Sequence, residues 1–214
     1  MNTINNYLSI VEYIKNSESS NAKIISVSKT FSEEKILPLL KNGSIHFGEN
    51  KVQEAQTKWP ILKNKFPQAK LHMIGKLQSN KAKKAFEIFD YIHSLDNEKL
   101  ADILSKEEIK TGKKIIYFIQ VNVGMENQKS GIEKKFLKDF FNYCTNEKKL
   151  NVVGLMAIPP NDGNEDKHFK YLYDANESLG LKELSMGMSA DFKIALKYKA
   201  TFLRIGSLIF GNRN

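Results

Sequence analysis

Lys29, Arg204 and two stretches of small residues are the places where residue type and spacing could support chemistry in this chain. Lys29 closes the apolar run IISVS (24–28). A lysine amine attacks an aldehyde when it is neutral, and partial burial beside another positive charge favours that form. SMGMSAD (185–191) and RIGSLIFG (204–211) each bring glycine and serine to the start of a helix or short apolar turn. Backbone N–H groups and hydroxyls gathered in that way can hold an anion such as a phosphate. One such stretch alone reads as a tight turn. The two together, at Ser189 and at Gly206 and Ser207, point to an anion cup. A strand-end lysine is ordinarily just solvated, so Lys29 gains meaning only from its neighbours.

Those neighbours follow from the order of the elements. Compact apolar runs, often β-branched, alternate with helical patterns. The strand candidates are IISVS (24–28), SIHFG (44–48), LHMIG (71–75), YIHSL (91–95), IIYFIQVNV (115–123), VVGLMAI (152–158), ELSMG (183–187) and TFLRIG (201–206). Most are continuously apolar, the pattern of parallel strands covered on both faces. A helix over about residues 3–16 precedes them and is expected to plug or flank the barrel bottom. Thr30 with Glu33, and Ser130 with Glu133, have capping-box spacing, and Asp96 and Ser189 stand where N-caps are expected. Asn50 heads a helix after FGEN, either capping it or touching a ligand. Eight such alternations in one domain over 1–214 predict an α/β fold, a single (β/α)8 TIM barrel, with an open doubly wound sheet as the competitor. In that barrel the functional face lies at the C-terminal strand ends, and the last two strand–helix loops are the recurrent phosphate site. Closure sets the first strand against the last, which brings Lys29 beside Arg204 and the cup. Arg204 is then an ion-pair partner at the rim, or it faces the ring nitrogen of a pyridine cofactor. A guanidinium there disfavours protonating the ring and leaves it a weak electron sink.

The rest of the chain narrows the class. His46, His72, His93 and His168 lack metal-ligand spacing, so no metal is expected. His46 and His72 fall within strand candidates and are read as packed or hydrogen-bonded inside the barrel. A net charge of +9 invites a nucleic acid, but Arg204 and Arg213 are the only arginines. Lysines interleaved with glutamates, as in NEKLADILSKEEIK, form solvated helix faces rather than bidentate readers. The Lys-rich QSNKAKKAF (78–86) is read the same way rather than as a second cofactor site. Cys144 is the only cysteine and cannot pair within the chain. With no basic-then-apolar leader at the start, that predicts a cytoplasmic protein. There is no apolar run of about 18 residues, so no membrane span is expected.

Seven blocks then occur in order: VSKT (27–30), FGENKVQEA (47–55), HMIGKLQSNK (72–81), VNVGMENQKSG (121–131), GLMAIPP (154–160), LSMGMSAD (184–191) and RIGSLIFGNR (204–213). With them the chain resembles the YggS/PROSC family of pyridoxal 5′-phosphate (PLP) homeostasis proteins, whose fold is like the N-terminal barrel of alanine racemase. The resemblance implies PLP held as a Schiff base on Lys29, with Arg204 at the pyridine nitrogen. It implies Ser189, Gly206 and Ser207 on the phosphate, with backbone contributions from Gly187 and Met188. Asn50 is expected near the ring and Met156 at the mouth. Two positions depart from the family pattern: Lys193 stands where an acidic residue is common, and Lys199 where a glycine is common before the last strand. Losing that glycine affects a helix C-cap rather than the ligand residues.

The implied role is binding more than turnover. Racemisation needs a proton-transferring group on each face of the substrate carbanion. Lys29 serves one face and no candidate is found for the other. The last strand ends near residue 206 and the chain stops at 214, which leaves no room for the further β-domain that closes the alanine racemase site. The expectation is a PLP carrier or homeostasis factor that exchanges with amino acids and delivers PLP transiently to apoenzymes. A PLP-dependent amino-acid racemase is the alternative. A cofactor-free barrel aldolase or phosphosugar enzyme using Lys29 is a third.

Overall fold

The computed structural model describes residues 2–124 and 130–211. The middle of VNVGMENQKSG and the end of RIGSLIFGNR, Arg213 included, lie outside them. The chain runs α1 (Thr3–Lys15), β1 (Lys23–Val27), α2 (Glu33–Lys41), β2 (His46–Glu49), α3 (Val52–Lys65), β3 (Lys70–Met73), α4 (Ala82–Ile88), β4 (Tyr91–Leu95), α5 (Glu98–Thr111) and β5 (Ile116–Asn122). It continues through β6 (Ile132–Glu133), α6 (Leu137–Asn142), β7 (Val152–Met156), α7 (Glu165–Ser178), β8 (Glu183–Met188), α8 (Phe192–Lys197), β9 (Phe202–Ile205) and α9 (Ser207–Phe210). All eight strand candidates are present, and they pair in parallel as β1-β2-β3-β4-β5-β7-β8-β9. β9 then pairs with β1, with Ile25 opposite Arg204, so the sheet is a closed barrel and the doubly wound alternative falls. The two-residue β6 only extends the end of β5.

Two-residue alternation sorts the strand side chains between two environments. Ile24, Phe47, Leu71, Ile92, Leu155 and Leu203 point outward into the large core shared with the helices. Ile25, Phe118, Met156 and Phe202 form a small apolar cluster inside the barrel. Both faces are therefore buried, which is why the strands read as continuous apolar runs.

α1 flanks the barrel instead of plugging it. Asn6 Nδ2 donates to Ile209 O, and Tyr13 packs edge-on against Phe192, so α1 covers the gap left by the four-residue α9. The expected helix starts also shift. α2 begins after Ser32, because Thr30 takes a left-handed φ of 68° and cannot open a capping box. Ser130 and Glu133 precede a strand and a 3-10 turn. Asn97, not Asp96, caps α5 by accepting from Leu100 N at 2.9 Å. No helix among the described residues is long and apolar enough to cross a membrane.

Candidate functional site

The interior alternation of β1 aims Lys29. Lys23 lies over the Phe202 ring, Ile25 belongs to the inner cluster, and Val27 reaches a cavity at the C-terminal strand ends. Lys29, two residues further, lines the same cavity, whose volume is about 690 Å³. Asn50, Met188, Ser189, Arg204, Gly206 and Ser207 line it too. Phe31, Ile74 and Ile158 supply apolar wall.

The turn after Lys29 is fastened from outside the barrel. Lys58, on α3 and buried, donates to Ser28 O at 3.0 Å and Phe31 O at 3.1 Å, so it grips the backbone on both sides of Lys29 and Thr30. The same amine pairs with Glu49 and Glu54, each at 2.8 Å. Glu54 in turn accepts from Thr30 N, which holds that residue in its left-handed conformation. Glu49 also accepts from Ser28 Oγ and Trp59 Nε1. Burial pushes the Glu49 carboxyl above its ordinary range, with Lys58 pulling the other way. Burial works on Glu54 in the same sense, but its bonds from Lys58 and Thr30 hold it below the usual carboxylate value. Nothing in the sequence marked this group beyond the i,i+4 spacing of Glu54 and Lys58, a spacing that is ordinarily a solvated surface pair.

Arg204 enters from β9 and is buried. Its guanidinium donates to Ser185 O at 2.6 Å, Ser185 Oγ at 2.8 Å and Ala157 O at 2.8 Å. Burial pulls it down to about 10, against the charge of Asp191, so it stays protonated at neutral pH. Its bonds run to carbonyls and a hydroxyl, which removes the reading of Arg204 as a rim ion-pair partner.

The anion cup has a definite centre. Ser189 Oγ accepts from Gly206 N and Leu208 N, both at 3.4 Å, so two backbone donors converge on an oxygen at the cavity wall. Ser189 is not the cap of α8: Asp191 occupies that position and accepts from Met188 N. Gly187 lies off the cavity wall. Its φ of 89° lets β8 turn beneath α8, where a Cβ would come within 2.7 Å of Ala195 Cβ. Met156 also misses the mouth, since its side chain is buried one layer down with Ile25, Phe118 and Phe202. Asn50 does line the cavity, and α3 starts after Lys51, so Asn50 is not its cap. Asn50 Oδ1 is buried without a hydrogen-bond partner, a cost that native sites accept where a ligand completes them. An amine, a buried guanidinium, converging N–H and hydroxyl groups and an unpartnered amide oxygen together suit a planar, phosphate-bearing aldehyde.

Comparison with known proteins gives the family. The family described as "Alanine racemase, N-terminal domain" matches residues 4–214. The pyridoxal phosphate homeostasis protein of Aquifex aeolicus is 39% identical over 201 residues, covering 90% of this chain and 87% of that protein. The chain belongs to the pyridoxal phosphate homeostasis protein family. Its counterpart in Pasteurella multocida is 36% identical, over 95% of this chain and 91% of that one. PipY of Synechococcus elongatus, solved with PLP bound, superposes with a TM-score of 0.88 at 30% identity over 98% of this chain and all of its own. Alanine racemase of Clostridium difficile shares the barrel alone, with a TM-score of 0.75 at 12% identity, and this chain spans 56% of it.

Proposed function

We propose that this protein binds and releases PLP in intracellular vitamin B6 homeostasis, holding the cofactor as a Schiff base on Lys29 without committed turnover. The observation that carries the proposal is that one cavity gathers Lys29, Arg204 and the donors around Ser189. Its support from relatives is a full-length likeness to a PLP-bound protein. When bound, PLP supplies an aldehyde that forms a reversible imine with an amine. The residues of this chain then divide the work. Lys29 offers the amine, held on a turn that Lys58 and Glu54 grip. Ser189, Ser207 and the N–H groups of Gly206 and Leu208 face the phosphate, with Met188 at the cup's edge. Arg204 faces the ring nitrogen as a permanent cation and keeps it unprotonated, which limits electron withdrawal by the ring. Asn50 supplies an acceptor near the ring. Lys29 and Arg204 are the only ionisable side chains among the described residues lining the cavity, which favours binding over two-faced proton transfer. Exchange of the lysine for an incoming amine makes amino acids and PLP-dependent apoenzymes the natural partners, in the cytoplasm.

Reduction of the PLP-loaded protein with borohydride, followed by peptide mapping, tests the proposal. The expected product is a pyridoxyl adduct on Lys29. An adduct on a different lysine, with Lys29 unmodified, overturns the site. Amino-acid racemisation that disappears with Lys29→Ala overturns the non-catalytic role.

A further inference from the structure

One polar feature of the barrel interior has no part in the binding site. His46 on β2, His72 on β3 and His93 on β4 are joined edge to edge: His46 Nδ1 to His72 Nε2 at 2.9 Å, and His72 Nδ1 to His93 Nε2 at 2.8 Å. His93 Nδ1 lies 2.8 Å from Ser185 Oγ, the oxygen that accepts from Arg204 at 2.8 Å. The line thus runs from Arg204 across the barrel to His46, which lines a second cavity, of about 350 Å³, beneath α1. His72 stacks on Tyr91 with centroids 4.1 Å apart, and His93 on Phe118 at 4.3 Å, so the rings are held flat against their neighbours.

The direction of the line follows from counting protons. Ser185 Oγ accepts from a guanidinium that cannot accept in return. Its own proton has one remaining partner, His93 Nδ1. If His93 instead donated from Nδ1, the buried hydroxyl proton would have no acceptor, which native interiors avoid. His93 therefore accepts at Nδ1 and donates from Nε2 to His72, which donates from Nε2 to His46. This assignment needs all three rings neutral. Burial, with Lys23 and Lys70 adding to it and Asp90 opposing, pushes His46 down to about 4. Burial holds His72 and His93 well below the usual imidazole value, with His93, His46 and Lys23 contributing at His72 and Arg204 and His46 at His93.

We propose that His46, His72, His93 and Ser185 form one directed hydrogen-bond chain whose terminal oxygen acts as the counter-dipole of Arg204, making all four positioning residues for that guanidinium. The chain takes the place of a carboxylate. It fixes Arg204 without neutralising it, and its polarity links the cavity under α1 to the PLP site. Only this last step rests on the function proposed above.

Long-range ¹⁵N–¹H correlation spectra of the ¹⁵N-labelled, cofactor-free protein at neutral pH test the chain directly. All three rings are expected as Nε2–H tautomers, and a ring of His72 or His93 protonated at Nδ1 in the wild type overturns the proposal. His46→Phe, at the half-exposed end, removes the acceptor of His72. An Nδ1–H population is then expected at His93, two members along the chain, and an unchanged His93 spectrum overturns the coupling. In the PLP-loaded protein the same substitution is expected to shift the visible absorbance band, although His46 is remote from the cofactor cavity. A band that stays in place refutes the link to the site. Failure of the wild type to take up PLP bears on the proposed function alone, because the tautomer measurement needs no cofactor.

Discussion

Replacing Lys58 with methionine is the sharpest probe of how Lys29 is held. The amine is buried, donates to Ser28 O, Phe31 O and Glu54, and forms an ion pair with Glu49. Methionine matches the stem but leaves a buried carboxylate and two backbone carbonyls without their donor. Removing one partner of a buried ion pair costs about 3–5 kcal/mol. For a chain of this size that is a fall in Tm of about 6–20 °C, at roughly 2–4 °C per kcal/mol. The pH dependence identifies the cause. The folded-state pKa of Glu49 is already raised by burial, so its favourable contribution is present below its unfolded pKa and is lost as pH rises through the folded value. Losing Lys58 raises that value further. The deficit of the variant should therefore be largest near neutral pH and shrink on acidification towards about pH 5. Urea unfolding of wild type and Lys58→Met at the two pH values measures it. A deficit under about 1 kcal/mol at neutral pH, or one that grows on acidification, refutes the reasoning.

Two further substitutions test backbone conformation at either end of α8. Lys199 sits at the C′ position of α8 with φ 56°, its N–H on Leu196 O and the next N–H on Ala195 O, so a lysine fills a Schellman position that favours glycine. Lys199→Gly should stabilise the protein by about 0.5–1 kcal/mol in urea unfolding, since the Nζ contact with Tyr173 is exposed and contributes little. Gly187→Ala places a Cβ against Ala195 and Leu203 at a positive φ, and should destabilise by about 2–4 kcal/mol in the same assay.

The barrel was legible in the sequence because its strands are buried on both faces and each is followed by a helical pattern, so eight alternations left few closures to consider. Lys29, Arg204 and Ser189 were legible for the same reason: strand ends are the functional rim. Helix starts were less so. Thr30 and Glu33 have the right types and spacing, but the left-handed turn at Thr30 belongs to the grip on Lys29, and the helix waits for Ser32. The Lys193 departure lies at the surface over the Tyr13 ring, away from the cavity. Met156 was misplaced by one layer, because a strand end read from an apolar run does not say which residue is the last to face inward. Lys58 could not be read at all. Its spacing to Glu54 is that of a surface pair, and only the landing of the β1–α2 turn on α3 makes it interior. The histidines at 46, 72 and 93 carried a usable signal, one per strand on successive strands, which is the spacing of a barrel layer.

The two polar networks explain why the described cavity lining holds two basic side chains and no acid. Outside the barrel wall, the charges of Glu49 and Glu54 are engaged by Lys58 and by the turn at Thr30, so neither carboxylate is presented to the ligand side. Inside it, Arg204 is bound by neutral oxygens, and the nearest acid acting on it, Asp191, is turned to the Met188 N–H. A guanidinium held by dipoles has no counter-charge beside it, whereas one held by a carboxylate has its charge compensated. Lys29 and Arg204 then line a cavity whose described walls carry no acid, with Asn50 Oδ1 as an unpartnered acceptor. An acid placed in that wall, as in Ser207→Asp, would leave the fold and the lysine intact yet repel the phosphate. Polar neutrality on one side of the wall and ion pairing on the other are thus two parts of a single arrangement that leaves the cation for the ligand.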